Sequence, residues 1–149
     1  MKLMVVGQWM WPWYQEACAE ALRSLGCTIE KFSWLDDFHQ RVPDRVEPVY
    51  LSRWAAVQNR LLAGPTVSRL NRRLLQAAER SLPDVIWLYN STHILPRTVR
   101  ALKARLPQII ARSVPGEIGG RFRSSKTFPE VMLSVIRPIR GDSARVVVG

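Results

Sequence analysis

Apolar and polar positions follow two alternating patterns along this chain, short unbroken apolar runs and longer segments of helical period. Leu3, Met4, Val5 and Val6 form a continuous apolar run closed by Gly7, the pattern of a strand covered on both faces. Pro12 stands where a helix opens, and Trp13/Tyr14, Ala17/Cys18, Ala21/Leu22 and Leu25 recur at helical spacing until Gly26 stops the segment. Cys27 to Phe32 is a second strand, so the first thirty-odd residues spell β-α-β. Residues 33–49, polar and carrying Pro43 and Pro48, read as loop. Leu51 to Leu62 is helical, with Trp54, Val57 and Leu61 on the face expected to meet the core. Gly64-Pro65 breaks it.

A second helix runs from about Thr66 to Ser81, with Val67, Leu70, Leu74 and Ala77 inward and Arg69, Arg72, Arg73, Gln76 and Arg80 outward. Val85 to Tyr89 is a third strand, and Asn90, Ser91, Thr92 and His93 supply turn chemistry. Pro96 opens a helix with a Val99, Leu102, Leu106 stripe, and Gln108 to Ala111 is a fourth strand. From 112 to 129 nothing periodic survives. A short helix from Phe128 or Pro129 to about Ile136 and a fifth strand, Ala144 to Val148, complete the pattern. The alternation predicts an α/β fold: a Rossmann-like, doubly wound parallel sheet in three αβα layers, strand order 3-2-1-4 with a fifth strand after it. Because the chain stops at Gly149 directly after a strand, the expected sheet is incomplete and the chain reads as a fragment.

Composition changes this picture little. With 149 residues and 47% hydrophobic content the chain can fill one core. No apolar run approaches a membrane span, Leu3 to Val6 is too short for a signal-peptide core and is broken by Gln8, and Cys18 and Cys27 lack partners at metal-binding spacing, so a reduced cytoplasmic protein without a metal is expected. The 22 Lys plus Arg against 12 Asp plus Glu give a net charge of +10. That balance suits a nucleic-acid binder, but the arginines spread along the chain, and even the acid-free stretch from Arg53 to Arg73 falls on polar helix faces. Nucleic acid is therefore the weakest partner.

In an open α/β sheet, ligands bind outside the carboxyl ends of the strands where the strand order reverses. Those ends are Gly7, Gln8 and Trp9 after the first strand and Asn90, Ser91, Thr92 and His93 after the third. The first loop has a single glycine, so it is neither a dinucleotide fingerprint nor a P-loop. It is aromatic instead: tryptophans at 9, 11 and 13 can stack on a sugar or pack the helix onto the sheet. His93 is a candidate general base, and its alternative is a helix-entry turn capped by Ser91 or Thr92. His39 lies near Asp36 and Asp37, a pairing that a solvated loop also explains.

These motifs resemble a family. The opening Lys2 to Gly7, "SLGCTIEKFSW" and above all "SLPDVIWLYNSTHILPRTVRALKARLPQI" look like the N-terminal half of a CgeB-like glycosyltransferase of the GT-B architecture, over residues 1–111. The resemblance implies an acceptor-side domain whose cleft is lined by Gly7, Gln8, Trp9, Asn90, Ser91 and Thr92, with His93 catalytic. It also implies a sugar acceptor, a nucleotide sugar as donor, and a donor-binding domain that 149 residues do not contain, so transfer by this chain alone is not expected. Residues 112–149 depart from the family, which continues differently after the fourth strand. Two alternatives stay open: a stand-alone Rossmann-like binding module without catalysis, and a basic nucleic-acid-binding domain.

Overall fold

The two most apolar runs of the chain lie side by side at the centre of a parallel sheet. A computed structural model describes residues 1–10, 15–43, 47–89, 91–106 and 110–114, the last of these as backbone. Strand β1 (Lys2–Gly7) leads to helix α1 (Ala17–Ser24), which ends at Gly26. Gly26 has φ +81°, and its N–H donates to Arg23 O (2.9 Å) while the Cys27 N–H donates to Leu22 O (3.1 Å). This left-handed stop reverses the chain into β2 (Thr28–Ser33). Two-residue strands β3 (His39–Gln40) and β4 (Val49–Tyr50) pair antiparallel. Helices α2 (Arg53–Leu61) and α3 (Pro65–Ser81) follow, then β5 (Val85–Tyr89), α4 (Pro96–Arg105) and β6 (Ile110–Val114).

The sheet order is β2-β1-β5-β6 and every neighbouring pair is parallel. Alternate residues of the central strands enter different layers, as the pleat requires. Met4, Val6, Ile86 and Leu88 meet α3 and α4 through Val67, Leu70, Leu74, Ala78 and Leu102. Leu3, Val5, Val85 and Trp87 meet α1 through Cys18 and Leu22. Helices thus lie against both faces of an α/β sheet.

Four expectations are corrected. Counting only the four sheet strands, the order is 2-1-3-4 and not 3-2-1-4. In the expected order β2 would sit between two neighbours, yet its Thr28, Glu30, Lys31 and Ser33 are polar, and at the sheet edge Thr28 and Lys31 reach solvent. The stretch 33–49 is not simply loop. It contains a single helical turn (Leu35–Asp37) and the β3/β4 pair, and Trp34, Leu35 and Phe38 are buried under α3. Helix α2 is turned the other way: Ala55 and Gln58 face inward while Trp54, Val57 and Leu61 are exposed. The fourth strand, described over Ile110–Val114, runs past the expected end at Ala111, while Gln108 and Ile109 lie outside the described residues. The helix start at Pro12, the helix after Phe128 and the strand at 144–148 lie outside the described residues. Among the described residues no helix is long and apolar enough to cross a membrane.

Candidate functional site

Because β1 and β5 are neighbours, the loops after them stand together at the carboxyl edge of the sheet. Here the order reverses: β2 lies on one side of β1, while β5 and β6 lie on the other. The structure therefore brings Gly7, Gln8 and Trp9 together with Ser91, whose hydroxyl lies 3.3 Å from Val6 O and 3.0 Å from Tyr89 O. Thr92 is exposed beside it. Asn90 lies outside the described residues.

The loop after β1 is closed by its own side chains. Gln15, buried, folds back so that its Oε1 accepts from the Trp9 N–H, and its amide lies against Gly7 where a Cβ would collide. Trp9 is left-handed (φ +52°), and its indole N–H donates to Val5 O (3.2 Å). Lys31 Nζ sits 5.0 Å from the centre of the Trp9 ring, near enough for a cation–π contact. The loop's carbonyls are taken as well. Ser33 Oγ donates to Gln8 O (3.2 Å), and Arg41 donates to Trp9 O (3.1 Å) and Met10 O (3.3 Å). Trp9 thus serves packing, and among residues 7–10 the half-buried Gln8 is the polar side chain.

His93 is drawn into the core and not presented to the crevice. It is 5% exposed, stacked on Trp34 (ring centres 4.1 Å apart, 26° between planes) and tilted against Phe38 (5.1 Å). Asn59 Nδ2 donates to Tyr50 Oη (2.9 Å), so Asn59 Oδ1 is left to accept from His93 Nε2–H (2.6 Å). His93 Nδ1 is then a bare acceptor, 3.4 Å from Thr92 Oγ1. Burial pushes the imidazole down to about 4, against the opposing hydrogen bond with Asn59 and with a small further push from His39. His93 is neutral at pH 7, and the hydroxyl within its reach is that of Thr92.

Two buried amides that the sequence reading passed over hold this edge together. Asn71 Nδ2 donates to Val67 O (2.7 Å) and His93 O (2.9 Å), and its Oδ1 accepts from Leu95 N–H (2.9 Å). One side chain therefore ties α3 to the turn that carries Thr92 and His93. Its position between Val67, Leu70 and Leu74, inside the apolar stripe of α3, was the available signal: a polar group there must find partners. Gln58 plays the same part at the α2–α3 turn, where its Oε1 accepts from the Thr66 N–H (2.7 Å).

His39 does not pair with the neighbouring acids. Its ring is tilted against that of Tyr50 (centres 4.1 Å apart), while Asp37 turns to Arg73 (2.6 Å) and Arg69 (3.9 Å). Burial raises the Asp37 carboxyl, and the two guanidinium groups counter that rise. Cys18 and Cys27 are free and buried, and burial lifts the Cys18 thiol to about 11, far from reactive thiolate. Among the described residues no group of three or more His, Cys, Asp or Glu is placed to hold a metal ion. No protein-family model, curated protein or solved structure matches this chain.

Proposed function

We propose that this chain is a Rossmann-like, acceptor-side domain of a glycosyltransferase of the GT-B architecture, working against a donor-binding domain that supplies the nucleotide sugar. One observation carries the reading. At the turn after β1, where a phosphate-binding sheet offers free backbone N–H groups, Gln15 already occupies the Trp9 N–H. The nearby cations are engaged, Arg41 with the Trp9 and Met10 carbonyls and Lys31 with Glu16 and the Trp9 ring. The polar groups left in the crevice beside this turn are uncharged, the Gln8 amide and the Thr92 hydroxyl. Such groups exchange hydrogen bonds with the hydroxyls of a sugar acceptor and give a diphosphate little.

In this reading Gly7 lets Gln15 close the loop, Trp9 anchors it, and Ser91 holds the β5 turn against β1. Asn90, next to Ser91, belongs to the same proposed lining. Thr92 meets the acceptor. His93 is a positioning residue, its bare Nδ1 accepting a hydrogen bond from the Thr92 hydroxyl and so turning the hydroxyl's lone pairs outward. The test is an amide NMR titration of the chain with oligosaccharides and, separately, with nucleotide sugars. Saccharides should shift resonances of residues 7–10 and 91–93, and Gln8→Ala or Thr92→Ala should weaken that binding up to about tenfold, the worth of one hydrogen bond. Nucleotide sugars perturbing these resonances, or saccharides leaving them unmoved, would overturn the assignment.

A further inference from the structure

Helix α2 shows its larger apolar side chains to water. Trp54 is 62% exposed and Leu61 68%, with Val57 between them and Leu51 and Leu62 exposed at the two ends. On a helical projection Trp54, Val57 and Leu61 fall within about 60° of one another. Arg53 and Arg60 border that arc on one side, both exposed. The opposite side gives the core only Ala55 and Gln58. A stripe of this kind is a surface in want of a partner.

Two features say what the partner is. Leu62, at the end of the stripe, also lines a cavity of about 450 Å³ together with Val67, Leu95, Arg97 and Arg100. The charge is of one sign. No Asp or Glu occurs from Pro48 to Ala78, and among the described residues no carboxylate pairs with Arg53, Arg60, Arg97 or Arg100. A second copy docked on this face would bring arginine against arginine, which is unfavourable. An apolar ridge containing tryptophan and leucine, bordered by arginines and running into an apolar cavity with two guanidinium groups, has the composition of a helix that lies in a membrane interface.

We propose that α2 and the adjoining cavity form a docking surface for an anionic lipid bilayer. Trp54, Val57 and Leu61 enter the headgroup–acyl boundary, Arg53 and Arg60 stay at the headgroup level, and Arg97 and Arg100 take a lipid phosphate at the cavity mouth. The docking is peripheral and spans nothing. It stands independently of the sugar-acceptor reading, since it involves neither Gln8 nor Thr92.

Vesicle co-sedimentation tests it with the whole chain. Binding is expected to phosphatidylcholine vesicles containing phosphatidylglycerol and not to phosphatidylcholine alone, and it should weaken with salt. Trp54→Ser with Leu61→Ser should lower the affinity more than about tenfold, because the apolar contact is lost. Arg97→Gln with Arg100→Gln should lower it about tenfold or more through the charge alone, and this pair reads out the proposal without touching α2. All four side chains are exposed, so circular dichroism and melting temperature should stay unchanged. Failure of the wild type to sediment with anionic vesicles, or undiminished binding in either double variant, overturns the proposal. So does a concentration-dependent dimer in sedimentation velocity that Trp54→Ser with Leu61→Ser abolishes, since that would assign the face to a second copy.

Discussion

His93 shows how burial decides what a residue can do. By type and place, His93 is a candidate general base with a helix-entry turn as its alternative. Under Trp34 and Phe38, with Nε2 committed to Asn59, it becomes a neutral strut. That state has a pH signature. In the unfolded chain the imidazole protonates near 6.5, while in the folded chain it resists until about 4. Between those values the unfolded state holds more protons, so stability falls as the pH falls; the contribution is fully present above pH 6.5 and lost toward pH 4. Its size is at most about 3 kcal/mol, the worth of a shift of this extent. His39, also lowered by burial, acts in the same sense, and Asp37, raised by burial, acts in the opposite one. Thermal melts of wild type and His93→Gln from pH 7 to pH 4.5 isolate the effect. The variant should be less stable at pH 7 yet show a flatter decline through this window, and parallel curves would mean that His93 titrates freely when folded.

Among the elements, those carried by strong periodicity were legible, and their facing was less so. The apolar runs of β1 and β5 and the Pro–Gly punctuation of α3, α4 and Gly26 marked where elements begin and end. The strand order differs from the expected one although its determinant stands in the sequence, since Glu30 and Lys31 make β2 an edge strand. For α2 the error has a physical cause. A periodic stripe states that one face is apolar, not that this face is the inner one, and the inward side was chosen by a hydrogen bond. Gln58 must reach the Thr66 N–H, which turns Trp54 and Leu61 outward. The turn between α2 and α3 depends on this contact and on Gly64, whose φ of +117° suits only glycine and where a Cβ would stand within 2.8 Å of Gln58 Cγ. Gly64→Ala should therefore cost about 3 kcal/mol, combining backbone strain with a disturbed cap. Urea denaturation checks this, and a loss below about 1 kcal/mol would mean the turn relaxes around the methyl group.

For the whole molecule, the candidate crevice and the apolar ridge follow from one division of labour. Burial is concentrated in β1 and β5, which have a strand on each side and a helix layer on each face, whereas α2 is held by little more than Ala55, Gln58 and the Asn59 contacts. The candidate crevice was half legible: residue types marked its two loops, but the expected order puts the second strand between them, and they meet only because β1 pairs directly with β5. The chemistry of the crevice was not legible, because the atoms that matter are Gln15 and Asn71, side chains whose roles depend on contacts between separate elements. The same division predicts a gradient of local stability. Amide hydrogens of β1 and β5 should exchange only through global unfolding, those of the edge strand β2 sooner, and those of α2 soonest among the helices, through local opening that leaves the sheet intact. Native-state hydrogen exchange read residue by residue measures this directly. In the presence of phosphatidylglycerol-containing vesicles, α2 should gain protection selectively, since lipid contact would supply the burial that its outer face lacks. Protection of α2 equal to that of β1 without vesicles would contradict the gradient and show that the outward helix is held as firmly as the core.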